Sequence, residues 1–308
     1  GSQTSFRGIQ EDCKKLIDGL RVKLKEDFER VDNKNLQLTQ IGLLLQLGEN
    51  PTILSNEILQ LTSQRLHDEL INLQDQTERD MMEFVDLGIE NFLNDLIALS
   101  SVYYEMFIAK HFESEPDTFQ DISREKLNEF VTSNIALYLN LVHERVDHET
   151  ENGDCRILLR ALDRLNRRLC AMKDFNGVKI SSTAMQLILH SIQQFSQKQY
   201  RQLKDSFNEK LSSLRLTLVT TVKNNGDSAT NLNQLIDALY ENTIEKVKNV
   251  LQELAIFLNP EWSFNIKTDR KGMLCVEAIR DQVLITFLRY ASSTMTSFSS
   301  INSSSPSN

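Results

Sequence analysis

From Ser181 to about Lys223 the chain runs without a proline or a glycine, and its large apolar residues recur every three or four positions. Ile188, Ile192, Phe195, Leu203, Phe207, Leu211, Leu214 and Leu218 fall on one stripe, with Gln, Lys, Ser and Asp between them. That period belongs to an α-helix, not to a strand. At 1.5 Å per residue such a helix is about 60 Å long. A narrow stripe on a long polar helix packs against few neighbours lined up along it, as in a bundle or rod. Breakers are scarce elsewhere too, with 4 prolines and 10 glycines in 308 residues.

The remaining segments read the same way. Between Phe6 and Arg30 a stripe of Ile9, Cys13, Leu16, Leu20, Leu24 and Phe28 marks an amphipathic helix. LQLTQIGLLLQL is a short helix stopped by Gly48, with Pro51 just beyond, and Ile53 to about Leu73 is helical again. DMMEFVDLGIENFLNDLIALSSVYYEMFIAKHF is richer in apolar residues and is expected to be a buried helix. ISREKLNEFVTSNIALYLNLVHERVDHE follows the loop ESEPDTFQD. ENGD is the clearest break, and its Asp154 is placed to cap CRILLRALDRLNRRLCAM. DFNGVK and NNGD flank the long helix, a further helix spans about Asn231 to Leu258, and another about Met273 to Met295. WSFNI is expected to be a capping loop rather than a strand. No repeat of fixed period is present.

The fold expected is therefore all-α, an elongated rod of two consecutive helical bundles without a sheet. The bundles are expected over residues 3–152 and 153–295, after a Gly-Ser cloning remnant at 1–2 and before a Ser-rich disordered tail at 296–308. A compact globule of this length has a radius of gyration of about 19 Å. The rod should give a value on the order of 25–30 Å in small-angle scattering, since a helix of about 60 Å does not fit inside that globule.

Charge and cysteine usage exclude several roles. The net charge of −9 argues against a nucleic-acid partner, whose affinity rests on phosphate neutralisation, and against broad adhesion to an anionic membrane. No apolar run approaches the roughly 18 residues of a membrane span, so no integral segment is expected. Cys13, Cys155, Cys170 and Cys275 are scattered without a C-x-x-C pair, as in reduced thiols of a cytosolic protein. The opening Gly-Ser suggests a fragment of a longer protein, expected to be monomeric.

No catalytic cluster is found. There is no nucleophile elbow, phosphate loop or dinucleotide fingerprint. HERVDH, residues 143–148, resembles the H-E-x-x-H of zinc proteases in its letters only. Its histidines are five apart and diverge by about 140° around a helix, where a zincin needs four and about 40°. His143 with Asp147, and Glu144 with His148, read instead as solvated i,i+4 pairs. No metal and no cofactor are expected. The best binding candidate is RILLRALDRLNRRL, where Arg156, Arg160, Arg164 and Arg168 recur every four residues with Arg167 alongside. They form a guanidinium stripe, opposite Ile157, Leu158, Ala161, Leu165 and Leu169. Guanidinium forks bind carboxylate and phosphate well, so the stripe either contacts an acidic partner helix or lipid headgroup, or pairs within the chain.

Three stretches in order, SFRGIQEDC, RALDRLNRRL and WSFNIKTDRKG leading into VEAIRDQVLITFL, resemble the vacuolar protein sorting-associated protein fifty-one (fat-free) family over nearly the whole chain. The resemblance implies the CATCHR fold of helical-bundle rods and a role as the subunit shared by the GARP and EARP tethering complexes. It implies action in endosome-to-trans-Golgi retrograde transport and endosomal recycling, in the cytosol and peripherally on those membranes. It also implies no enzymatic role or cofactor, the other GARP and EARP subunits as partners, and a SNARE contact in a region upstream of these residues. No single functional residue carries over. An all-helical lipid or apolar-ligand carrier is the other class consistent with these helices, and it requires an enclosed apolar cavity of a few hundred Å³.

Overall fold

A computed structural model of the chain describes residues 2–31, 33–76, 78–152, 154–172, 181–223, 228–264, 277 and 279–303. Its helices are α1 (Ser2–Arg30), α2 (Lys34–Gln46), α3 (Pro51–Gln74), α4 (Met81–Leu87), α5 (Asn94–Tyr103), α6 (Phe119–Asn152), α7 (Cys155–Ala171), α8 (Ser181–Lys223), α9 (Ser228–Ala255) and α10 (Thr286–Ser303). Short π-helical stretches follow α4 (Gly88–Leu93) and α5 (Tyr104–Ile108) and precede α10 (Arg280–Ile285), and a 3-10 turn (Ile256–Leu258) follows α9. The described residues contain no strand, so the fold is all-α. No helix among them is long and apolar enough to cross a membrane.

Local chemistry sets the helix ends. Asn33 accepts from the Asn35 and Leu36 N–H groups, Asn50 from Ile53, and Asp80 from Glu83, each satisfying donors that a helix start leaves free. Pro51 is the first residue of α3, where its missing N–H costs nothing. Gly48, at φ +84°, supplies the left-handed turn after α2. Asp154 accepts the Arg156 N–H at 2.7 Å and caps α7.

The chain divides into two compact units: Gly1–Val142 with Arg168–Ser181, and His143–Arg167 with Ser182–Asn308. Both α6 and α7 contribute to each unit. Helix α6 lacks proline and glycine, so nothing in its sequence ends it where the contacts change. Asp154, the last residue of ENGD, precedes α7 within the second unit. In the first unit α1 packs on α2 and α3, and α5 packs on both of these. Its core includes Ile41, Leu54, Leu66, Phe84, Phe92 and Tyr138. The rings of Phe92 and Tyr138 stack at 5.3 Å. In the second unit Leu158, Leu162 and Leu165 of α7, Ile192, Phe195 and Phe207 of α8, and Phe257 and Phe287 are buried. Phe195 meets Phe257 at 5.5 Å, and Phe207 meets Phe287 edge-on at 6.0 Å.

Helix α8 spans 43 residues, and the stripe read along it is buried from Ile188 to Leu214, with Leu218 half-buried. Two expectations change. The segment 81–108 is helical throughout, but two π turns interrupt its α-ladder. Helix α10 runs to Ser303, into the Ser-rich stretch read as a tail from residue 296. Within it Thr296 and Ser297 turn their hydroxyls back onto the Ser292 and Ser293 carbonyls at 2.9 and 3.0 Å, so both hydroxyls are satisfied locally. The turns DFNGVK and NNGD, most of NIKTDRKG, Cys275 and residues 304–308 lie outside the described residues.

Candidate functional site

Helix α7 builds the arginine stripe as its spacing requires. Arg156, Arg160, Arg164 and Arg167 are exposed and Arg168 is half-buried, while Leu158, Leu159, Ala161, Leu162, Leu165 and Leu169 are buried. Two of its arginines have partners within the chain. Arg167 Nε donates to Asp163 at 2.8 Å and its Nη2 to the Glu261 carbonyl at 3.0 Å. Arg168 Nη2 donates to Asn94.

Asp163 and Asn166 were not legible as site residues. Asp163 is 8% exposed and accepts the Ser263 N–H at 2.5 Å, and Asn166 Nδ2 donates to the Ser263 hydroxyl at 2.8 Å. The loop after α9 is thereby moored to α7. Its Trp262 donates from Nε1 to the Ile256 carbonyl at 2.8 Å and stacks on the buried Phe264 at 6.1 Å. Two of the stretches carrying the resemblance, RALDRLNRRL and the start of WSFNIKTDRKG, are therefore bonding partners about a hundred residues apart in sequence. Where WSF is described it forms turns, not a strand.

The stripe of α1 is covered only at its end. Phe28 is buried, and Lys25 bridges Glu57 at 2.6 Å and Glu49 at 3.3 Å. Toward the N-terminus Ile9, Leu16 and Leu20 are 60%, 69% and 51% exposed. Apolar residues thus repeat along one exposed face of α1.

In HERVDH, His148 is exposed and lies 3.9 Å from Glu149, while His143 lies 3.7 Å from Asp147. The two histidines diverge, as their spacing requires. The expectation of no metal rested on spacing within one helix and on the scattered cysteines. His190 of α8 lies against the His143 ring at a tilt and bonds Asp147, an approach that helix periodicity cannot reveal.

Two open clefts are lined chiefly by charged and amide side chains, unlike the enclosed apolar cavity a lipid carrier requires. One, about 390 Å³, lies beside Asp154, Arg156, Lys198 and Glu253. Burial, then the Asp154 and Glu253 carboxylates, push the adjoining Cys155 thiol up to about 12, which holds it as the protonated thiol at neutral pH. The other, about 360 Å³, holds Arg65, Glu69 and Asp95. Arg65 bonds Asp95 and lies 3.5 Å from Glu69. Burial and the neighbouring Asp95 push the Glu69 carboxyl up to about 7, against the pull of Arg65. Between the unfolded value of 4.5 and about 7 the native chain holds a proton that the unfolded chain lacks, so this group makes stability fall as pH rises through that window. Glu69→Gln should match the parent at pH 4 and exceed it by about 1–2 kcal/mol at pH 8, after discounting for solvent, in urea unfolding at both pH values.

No family model and no solved structure matches the chain. Curated proteins do. The chain is 46% identical over 310 residues to the vacuolar protein sorting-associated protein 51 homolog of Drosophila melanogaster, a match that takes in 100% of the chain and 42% of that protein. Proteins of the same name from Xenopus laevis and Homo sapiens are 28% and 27% identical, over 96% of the chain and 38% and 37% of their own lengths. The chain thus spans about two fifths of the relatives it matches.

Proposed function

The chain is homologous along its whole length to part of the vacuolar protein sorting-associated protein 51 homologs, and from that premise we propose that it is a non-enzymatic scaffold segment of a vesicle-tethering subunit. The observation that carries the proposal is the 46% identity from end to end. In this reading the segment serves endosome-to-trans-Golgi retrograde transport and endosomal recycling, peripherally on those membranes, with the other subunits of the GARP and EARP complexes as partners.

The exposed stripe of α1 supports an interaction role. Ile9, Leu16 and Leu20 present an apolar face that costs about 25 cal/mol per Å² to leave in water, and a partner helix would cover it. The test is capture of each other GARP and EARP subunit by the chain, with and without Leu16→Glu and Leu20→Glu. Both residues are more than half exposed, so the melting temperature should stay within about 2 °C while capture of at least one subunit drops tenfold or more. Failure of the unaltered chain to capture any subunit removes the scaffold reading. Undiminished capture by the double variant removes α1 as the contact.

A further inference from the structure

We propose that His143, Asp147 and His190 form a site for one divalent first-row transition-metal ion, zinc by donor preference, which staples the end of α6 to α8. All three residues lie within the second unit. His143 and Asp147 are four apart on α6, about 40° around the helix, so both side chains leave one face. His190 meets that face from α8: its ring lies against His143 with centroids 4.0 Å apart and planes tilted by 31°, and its Nε2 lies 2.7 Å from Asp147 Oδ1. Asp147 Oδ2 lies 3.7 Å from His143 Nδ1. One donor atom from each residue falls within 4.8 Å of the other two.

Donors bound to one ion at about 2.0–2.2 Å in a tetrahedron are about 3.4 Å apart, so small side-chain rotations bring the three together around an ion. Binding replaces the His190–Asp147 hydrogen bond with two metal bonds. Two imidazoles and a carboxylate are a set that suits zinc, nickel or copper rather than calcium or magnesium. The side chains keep 42%, 45% and 27% of their accessibility, which admits the ion and leaves room for a water as fourth ligand.

The helices are already held in register. Two turns along α8 from His190, Lys198 Nζ donates to the Thr150 and Glu151 carbonyls of α6 at 2.9 Å each. Gln194, one turn along, places its amide nitrogen 3.4 Å from His190 Nε2 and borders the site. The ion therefore meets a site whose backbone need not move, the arrangement that favours binding. His148 belongs to the same short motif and stands outside the cluster, which makes it the natural control.

The test uses the full chain, stripped of metal with a chelator and titrated with zinc by calorimetry and with cobalt by visible absorption. One equivalent should bind, cobalt should give the intense bands of a four-coordinate site, and zinc should raise the melting temperature. His190→Ala and Asp147→Asn should each weaken binding at least tenfold and abolish the rise in melting temperature, while His148→Ala should change neither. Asp147→Asn keeps the side chain's size, so a folding failure of His190→Ala leaves the test intact. Absence of binding overturns the site. So does binding that survives both cluster variants, which would place the ion elsewhere, for instance on the exposed Cys13 or Cys170 thiols.

Discussion

Gly88→Ala should destabilise the chain by about 3 kcal/mol, the reverse of what glycine removal does inside an ordinary helix. Alanine normally gains up to about 1 kcal/mol over glycine at a helical position. At Gly88 a Cβ would stand 2.5 Å from the Tyr138 hydroxyl, 2.6 Å from its Cε2 and 2.8 Å from its Cζ. The ring has little room to retreat: Tyr138 is fully buried and stacks on Phe92, itself 1% exposed. Overpacking of this kind costs about 1–3 kcal/mol, and a rigid ring met at three atoms places it at the upper end. Gly42 provides the contrast. It lies inside α2 with nothing within 4 Å of its Cβ position, so Gly42→Ala should stabilise by about 0.5–1 kcal/mol. Adding Tyr138→Phe to Gly88→Ala removes the nearest atom and should recover part of the loss. Urea midpoints of the three variants decide it, and a Gly88→Ala protein as stable as the parent would show that the two helices do not approach as described.

Asp163→Ala should cost about 2–3 kcal/mol and loosen a specific loop. The carboxylate joins two donors, the Ser263 N–H at 2.5 Å and Arg167 Nε at 2.8 Å, and it is 8% exposed. Charge-assisted bonds contribute about 1.5–3 kcal/mol each, but Arg167 is exposed and Ser263 half-buried, so water recovers part of both. Asp163→Asn retains one acceptor oxygen and should cost about half as much. The effect has a local reporter. Trp262 is the chain's single tryptophan and sits one residue before Ser263. Its emission should shift to the red in Asp163→Ala well below the melting temperature. Unchanged emission together with unchanged stability would show that Asp163 does not moor the loop.

These two positions also show where sequence reasoning stops. Helix spans were legible because proline and glycine are few and Asn, Asp and Gly stand at the ends, so α8 begins and ends where its pattern does. The arginine stripe was legible as geometry, because four-residue spacing fixes a face. Its partners were not, since Arg167 reaches the Glu261 carbonyl and Arg168 reaches Asn94 across 94 and 74 residues of sequence. Periodicity identified the apolar face of α1, but a stripe states which side is apolar and not what covers it, and Ile9 and Leu16 are uncovered. His190 carried no signal beside HERVDH, because its approach is created by packing between helices. The Ser-rich composition near residue 300 suggested disorder, whereas α10 runs to Ser303 with the Thr296 and Ser297 hydroxyls bonded to carbonyls one turn back.

The π turns have a consequence for the length of related chains. In a π turn each N–H reaches back five residues instead of four, so one residue is surplus to the α-ladder. Deleting a residue from an ordinary helix rotates everything beyond it by about 100° and throws its apolar stripe off the core. Deleting one from Gly88–Leu93, Tyr104–Ile108 or Arg280–Ile285 instead absorbs the bulge and leaves the helices on either side in phase. Single-residue gaps in alignments of this chain with its relatives should therefore fall inside these helices as well as in loops, and a gap there leaves the packing on either side intact.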